Sequence, residues 1–200
     1  NQTFESPFGT KKIVYADWTA SGRLYLPIEE KMLNDFGPFV ANTHTETSVM
    51  GSTMTQSYHH ARTIIKQHVN ASEDDVLLTC GTGMTGAINK FQRILGLKVP
   101  EKLKDKVTFQ DAERPIVFVS HMEHHSNQTS WLETIAKVVV IPCNEEGLFC
   151  LENFKKLLDV YKEHPYKIAS ITSCSNVTGI QTPYFEVAKL MHQNNGLCFV

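Results

Sequence analysis

A loop rich in glycine and threonine is the part of this 200-residue sequence best suited to chemistry. It runs from Cys80 to Thr85 and is followed by apolar residues at helical spacing. Gly81 and Gly83 let the backbone approach a phosphate closely, and Thr82 and Thr85 supply hydroxyl groups. The first N–H groups of the helix and the positive end of its dipole add to the attraction for an anion. The pattern predicts an anion site, although an ordinary strand-to-helix turn would explain the glycines equally well.

A second segment, residues 121–131, follows an apolar run and carries three histidines. One of these imidazoles could lie flat on a planar ligand ring. His121, His124 and His125 could instead bind a metal ion. Their spacing is not H-E-x-x-H and no cluster of cysteine or glutamate accompanies them, so we expect no metal site. His121 and His125 have a simpler interpretation as surface or hydrogen-bonded residues.

A third segment, residues 173–179, also comes directly after an apolar run. Its Asn176 carries an amide that could donate a hydrogen bond to a ligand oxygen, and Gly179 would allow a tight turn. A lone asparagine in a loop is more often a turn former than a ligand-binding residue. The ligand-binding interpretation is favoured here because the glycine loop and the histidine segment occur in the same chain.

The elements that must position these segments alternate between strand and helix. Apolar runs predict strands at residues 13–15, 76–79, 116–119, 138–141, 168–172 and 197–200. Helical spacing predicts helices at residues 27–36, 54–69, 84–95, 129–136, 151–161 and 185–192. Alternation of this kind predicts an α/β fold with a parallel sheet covered by helices on both faces. The three polar segments then fall beyond the carboxyl ends of strands, where such sheets bind ligands.

Composition narrows the class of partner. A hydrophobic content of 42% can supply a full core, and a net charge of −2 suggests neither a nucleic acid nor a membrane as partner. Five cysteines without a C-x-x-C pair are typical of reduced thiols, so we expect a cytoplasmic protein. No apolar run is long enough to span a bilayer. A small molecule is therefore the expected partner.

The motifs together resemble those of the aminotransferase class V family, enzymes that depend on pyridoxal 5'-phosphate (PLP) and include cysteine desulfurases and selenocysteine lyases. The most specific are E-H-H-S-N at residues 123–127 and S-N-V-T-G at residues 175–179. The C-G-T-G stretch at residues 80–83 is similar to the family's phosphate loop, with Met84 where an acidic residue is usual. Residues 15–22 resemble the opening strand and turn, with Trp18-Thr19 where Asn-Ala is common, and residues 42–44 resemble a segment near the substrate pocket.

The resemblance implies a fold and a set of roles. It implies the large domain of the PLP-dependent transferase fold type I over residues 25–200, preceded by an arm and first strand over residues 1–24. Its phosphate-binding residues would be Gly81, Thr82 and Gly83. His124 would stack on the cofactor ring and move protons, and Asn176 would bond the phenolic oxygen. Ala20 and His44 would contact an amino-acid substrate. The resemblance also implies a homodimer and a sulfur-acceptor protein as partners.

The resemblance further implies two residues that do not occur in the sequence. An aspartate that pairs with the pyridine nitrogen should follow the last strand directly, and a lysine that binds the cofactor covalently should lie on a later strand. The last residues, 197–200, read as a buried strand without a cap or turn. We therefore expect a fold that is incomplete at its carboxyl end, a longer natural protein and an inactive 200-residue segment.

Two other functions stay open at this point. A non-catalytic half-domain that lacks the aspartate and the lysine would act as a binding or scaffold protein, with an exposed sheet edge prone to association. A metal-dependent hydrolase would use the histidines of residues 121–125. Which reaction a class V member would perform, among desulfuration, β-elimination, transamination and kynureninase-like cleavage, does not follow from these residues.

Overall fold

The computed structural model describes residues 2–81 and 83–200. The chain forms two compact units, the first ending at Leu78 and the second running from Thr79 to Val200. None of the helices in the described residues is long and apolar enough to cross a membrane.

The first unit contains a hairpin and two helical segments. Its elements are strand β1 (Thr3–Ser6), strand β2 (Gly9–Lys12), helix α1 (Leu26–Lys31) extended by a π-helical turn (Met32–Phe36) and a 3-10 turn (Gly37–Phe39), and helix α2 (Val49–His68). The two strands pair antiparallel, with Thr3 opposite Lys12. Helix α1 confirms the helix predicted from Pro27. The hairpin of β1 and β2 had no counterpart in the sequence-based prediction.

Helix α2 begins five residues before its predicted start at residue 54 because Ser48 caps it. The Ser48 side chain accepts a hydrogen bond from the N–H of Gly51 at 3.1 Å, and its own backbone is extended. Serine is a preferred residue at this position because its oxygen satisfies an N–H group that has no partner within the helix. The prediction rested on apolar residues at helical spacing from residue 54 onward, so it placed the start of the helix too late.

Two predicted strands of this region are wrong. Residues 13–15 lie just beyond β2, where the Ile13 N–H still bonds the carbonyl of Gln2 at 2.9 Å, but they form no strand. The run at 76–79 forms no strand either, and Val76 is exposed. A strand forms only where a neighbouring strand pairs with its backbone groups, and an apolar run on its own does not reveal where such pairing occurs.

The second unit is a four-stranded sheet with helices on both faces. Its elements are α3 (Met84–Ile94), β3 (Ile116–Ser120), α4 (His125–Leu132), β4 (Lys137–Ile141), α5 (Leu151–Val160), β5 (Lys167–Ser170), α6 (Tyr184–Gln193) and β6 (Leu197–Phe199). The strand order is β4-β3-β5-β6, and every pair is parallel. The charged loop between α3 and β3 contains short 3-10 turns at Glu101–Lys106 and Asp111–Glu113.

The core lies on both faces of this sheet. All five residues of β3 are buried. Phe118 packs with residues of α5 and α6, whereas Val117 and Val119 pack on the other face with residues of α3 and α4. Successive side chains of a strand point to opposite faces, so a strand covered on both sides reads as a continuous apolar run. The prediction of a parallel sheet covered on both faces is confirmed for these four strands.

The strand order creates a crevice. From β3 the chain turns to β4 on one side, and from β5 it turns to β6 on the other, although β3 and β5 are neighbours. The loops after β3 and β5 therefore diverge. In open parallel sheets this switch point, at the carboxyl ends of the strands, is where ligands bind.

Helix α3 runs antiparallel to the strands. Near its carboxyl end, the carbonyl of Leu97 accepts a hydrogen bond from the N–H of Ile135 at 3.0 Å, just before β4 begins. That end of α3 thus lies at the amino edge of the sheet. Since α3 has 11 residues and rises about 1.5 Å per residue, its start lies at the carboxyl edge, on the same side as the crevice.

Candidate functional site

The glycine loop leads into α3 through a close backbone contact. Gly81 has a φ of +63°, a conformation that favours glycine, and a Cβ atom built on it would lie 3.1 Å from Cα of Gly86. Gly83 precedes the helix, and a Cβ built there would meet nothing within 4 Å. Gly81 is thus required by the fold itself, whereas the space beside Gly83 is open. The predicted phosphate ligand Thr82 lies outside the described residues.

The start of α3 offers hydrogen-bond donors to a ligand. The N–H of Gly86 bonds the carbonyl of Gly83 at 3.0 Å. Within the described part of the chain, the N–H groups of Met84 and Thr85 have no acceptor, and the side chain of Thr85 is exposed. These are the groups that bind phosphate at helix starts. The residues present therefore fit the phosphate end of PLP.

His124 is the residue that caps helix α4. Its Nδ1 accepts a hydrogen bond from the N–H of Ser126 at 3.1 Å and lies 2.8 Å from the Ser126 hydroxyl oxygen. An imidazole nitrogen that accepts from an N–H carries no proton, so in the neutral ring the proton is on Nε2. That nitrogen has no partner among the described residues, and the ring is exposed. The cap also explains why α4 begins four residues before the predicted residue 129.

The other two histidines of this segment have different surroundings from those of His124. Nε2 of His121 lies 2.8 Å from the carbonyl of Gly147 and so ties the loop after β3 to the turn after β4. His125 is the first residue of α4 and is exposed. Within the described residues, no group of three histidine, cysteine, aspartate or glutamate side chains is arranged to hold a metal ion.

Asn176 stands at the tip of a turn that its neighbours hold in place. The buried Ser175 bonds the N–H of Gly179 through its carbonyl at 2.9 Å, and its hydroxyl accepts from the N–H groups of Val177 and Thr178 at 3.3 Å each. Gly179 has a φ of +73°, as the tight turn requires. The side chain of Asn176 is exposed and has no partner among the described residues, so its amide is available to a ligand.

The structure also contains a buried polar residue that the sequence analysis missed, Asn127 of the E-H-H-S-N motif. Its Oδ1 accepts hydrogen bonds from Nε1 of Trp131 at 3.1 Å and from the hydroxyl of Ser170 at 2.7 Å. Its Nδ2 donates to the carbonyl of Ser170 at 3.1 Å and to Oε2 of Glu123 at 2.7 Å. Glu123 precedes the His124 cap and lies outside helix α4, so its spacing of four residues from Asn127 gave no signal of this contact.

Ala20 and His44, which were predicted to contact a substrate, belong to the first unit. The N–H of Ala20 bonds Oδ1 of Asp17 at 3.3 Å, in a turn that Tyr15 closes through bonds from its hydroxyl. His44 has a φ of +65°, and its N–H bonds the hydroxyl of Thr55 at 3.1 Å. Their substrate contact stays a prediction. Gly81, Gly83, His124 and Asn176 all belong to the second unit, where they share the carboxyl edge of the sheet.

The cysteines differ in their exposure. Cys143 and Cys174 are exposed, and Cys80, Cys150 and Cys198 are partly buried; all five are free thiols. Burial raises the pKa of the Cys198 thiol to about 11. At neutral pH this thiol is protonated and therefore a poor nucleophile.

The arrangement defines a class of α/β protein with a parallel sheet, in which polar groups gather at the switch point where such sheets bind ligands. The sequence comparison is more specific. The model of the family described as aminotransferase class-V matches residues 14–200, and the chain belongs to this family.

The relatives of this chain include proteins named for cysteine desulfurase activity. A probable cysteine desulfurase of Halalkalibacterium halodurans is 25% identical over 193 residues, which are 94% of this chain and 43% of that protein. A cysteine desulfurase of Synechococcus elongatus is 30% identical over 158 residues, covering 76% of this chain and 22% of that protein. The chain thus spans less than half the length of the relatives it matches.

Solved structures show the same fold. The NifS-like protein of Rickettsia africae superposes with a TM-score of 0.67 and 17% sequence identity, over 90% of this chain and 45% of that one. The predicted fold class, that of the PLP-dependent transferases, is confirmed.

Proposed function

We propose that the intact protein is a PLP-dependent enzyme that acts on an amino acid in the manner of a cysteine desulfurase. Its membership of the aminotransferase class-V family and its cysteine desulfurase relatives support the proposal. The observation that carries it is the set of available groups at the carboxyl edge of one sheet. The start of α3, the ring of His124 and the amide of Asn176 each present polar atoms without a partner among the described residues.

Each of these groups fits one part of the cofactor. The N–H groups of Met84 and Thr85 and the Thr85 hydroxyl suit the phosphate. Asn176 can donate its amide N–H to the phenolic oxygen. The exposed ring of His124 offers a flat apolar face for a pyridine ring to stack on. When bound, PLP supplies the electron sink that stabilises negative charge at the substrate carbon.

The protein's own contribution to the reaction centres on His124. The hydrogen bonds from Ser126 occupy Nδ1 and fix the orientation of the ring. Nε2 is then the atom that holds or moves a proton near the substrate. The stacked ring would also keep water from the cofactor face that it covers, and Ala20 and His44 are proposed to contact the substrate.

The family membership supports a proposal for the substrate class and the partners. We propose a small amino acid as substrate, with cysteine as the first choice. We also propose a sulfur-acceptor protein as the partner that receives the sulfur. We also propose that the protein acts as a homodimer in the cytoplasm. The five free thiols are in keeping with a reducing compartment.

The test is the intact mass of the natural full-length protein after incubation with PLP and reduction with borohydride. We expect a mass above 22.6 kDa that carries one reduced PLP adduct, and an unreduced sample without the adduct serves as control. Absence of any adduct would overturn the proposal and favour a non-catalytic binding or scaffold protein. Loss of sulfur from L-cysteine in the loaded protein then distinguishes a desulfurase from other class V reactions.

A further inference from the structure

Glu123, immediately before the His124 cap, accepts four hydrogen bonds at the carboxyl end of β3. Its Oε1 accepts from the N–H of Ser120 at 3.3 Å, from the Ser120 hydroxyl at 2.5 Å and from the N–H of Thr172 at 3.0 Å. Its Oε2 accepts from Nδ2 of Asn127 at 2.7 Å. The carboxylate therefore joins the end of β3, the start of α4 and the chain directly after β5.

Every partner of this carboxylate is a donor, and the neighbouring residues show why. Trp131 has only a donor at Nε1, so the atom of Asn127 that faces it must be the oxygen. The NH₂ group of Asn127 must then face Glu123. The N–H groups of Ser120 and Thr172 are donors by nature. A carboxylate without a proton satisfies all of these donors, whereas a glutamine would turn an NH₂ group toward at least one of them.

The position of Glu123 makes this bonding relevant to the site. His124 follows it directly, and Thr172 opens the loop that carries Asn176. These two loops lie on either side of the crevice between β3 and β5. The bond between Glu123 and Thr172 crosses that crevice at its floor, and it joins residues 49 positions apart in the chain.

We propose that Glu123 is a positioning residue that holds the His124 loop and the Asn176 loop in register across the crevice. It touches no ligand itself, and its role rests on the proposed function as a PLP-binding protein. Without its acceptors the bonds between Asn127 and Ser170 remain, but the direct bond from the His124 loop to Thr172 is lost. The ring and the amide then no longer reach the cofactor together.

The test compares Glu123→Gln with two control variants of the full-length protein. Glu133→Gln makes the same chemical change at an exposed position at the end of α4. Leu158→Ala lowers stability from the core on the face of the sheet that carries α5 and α6. PLP affinity is measured by titration, stability by urea denaturation, and loop order by hydrogen exchange of residues 121–126 and 172–179.

We expect Glu123→Gln to weaken PLP binding about tenfold, which corresponds to about 1.4 kcal/mol. Hydrogen exchange should become faster at residues 172–179, although the substitution lies in the other loop. Glu133→Gln should leave both measurements unchanged, and Leu158→Ala should lower stability without weakening PLP binding. If Glu123→Gln does not fold, Ser120→Ala removes one donor, and we expect a smaller change in the same direction.

Two results would overturn the inference. The first is PLP affinity in Glu123→Gln equal to that of a wild type that does bind PLP. The second is an equal loss of PLP affinity in Glu123→Gln and Leu158→Ala at matched stability. The effect of Glu123 on PLP binding would then come from its contribution to stability alone. A wild-type protein that binds no PLP would overturn the proposed function, and the role of Glu123 with it, whereas the exchange data would still report whether Glu123 links the loops.

Discussion

His124 shows at the scale of one residue what the sequence predicted and what it missed. The motif singled out this histidine among three, and the structure places it at the carboxyl edge of the sheet with an exposed ring. Its role as the cap of α4 was missed because histidine is not among the usual capping residues. Asn127 was missed for a related reason, since a polar residue between polar neighbours gives no sign of burial.

Substitution of His124 should separate its two roles. His124→Ala removes both the cap and the ring, so we expect a loss of about 1 kcal/mol of stability together with weaker PLP binding. His124→Asn keeps an oxygen that can accept from the Ser126 N–H, so stability should return while PLP binding stays weak. Urea denaturation and PLP titration measure the two effects. Full recovery of PLP binding in His124→Asn would rule out ring stacking.

Cys198 provides a prediction for the dependence of stability on pH. In the folded protein burial raises the pKa of its thiol from 9.0 to about 11. Below about pH 9 the thiol is protonated in both the folded and the unfolded state. Between about pH 9 and pH 11 the unfolded chain releases this proton first, so the free energy of unfolding falls as pH rises.

The measurement is urea denaturation of the wild type and of Cys198→Ala at a series of pH values from about 8 to about 11. The difference between them removes the contributions of other titrating groups, provided that they are unchanged. We expect the wild type to lose more stability than the variant over this range. Parallel curves for the two proteins would contradict the raised pKa.

The glycine loop and α3 carry the argument at the scale of an element. The helix was predicted at residues 84–95 and found at Met84–Ile94, because its apolar residues recur at helical spacing and Gly83 and Gly96 flank it. The structure separates the roles of the two loop glycines. Gly81 has a positive φ and a tight contact with Gly86, while Gly83 has extended backbone and open space.

The same substitution at the two glycines should therefore have different effects. Gly81→Ser places a side chain on a left-handed residue, at a cost of about 1–2 kcal/mol, and presses it against Gly86. Gly83→Ser meets no neighbour within 4 Å and introduces a preferred capping residue, so stability should be unchanged or raised. Thermal unfolding of both variants provides the comparison. Equal losses of stability would show that the loop does not have the described backbone conformation.

At the scale of the whole molecule, the sequence predicted the second unit far better than the first. The four strands of the sheet are continuous apolar runs because helices cover both faces, and this pattern is visible without knowledge of the partners. The runs at residues 13–15 and 76–79 have similar composition but form no strand. Pairing depends on residues distant in the chain, which local patterns do not encode. The boundary expected after residue 24 stays a prediction.

The two units should differ in their protection from hydrogen exchange. Among the described residues of the first unit only Gly51 and Thr55 are buried, whereas β3 is buried throughout. Amides open more readily where few buried contacts hold the segment. We therefore expect residues 116–120 to exchange much more slowly than residues 49–68 in exchange measured by mass spectrometry. Equal protection of the two segments would contradict this difference.

The bonds of Glu123 beneath the crevice have a thermodynamic consequence for recognition. They form within the folded chain, so the loops on both sides lose their conformational freedom during folding and not when a ligand arrives. A receptor ordered in advance spends little of its interaction energy on ordering itself. We therefore expect the crevice to be preorganised for a ligand, so that binding carries only a small entropic penalty from the backbone.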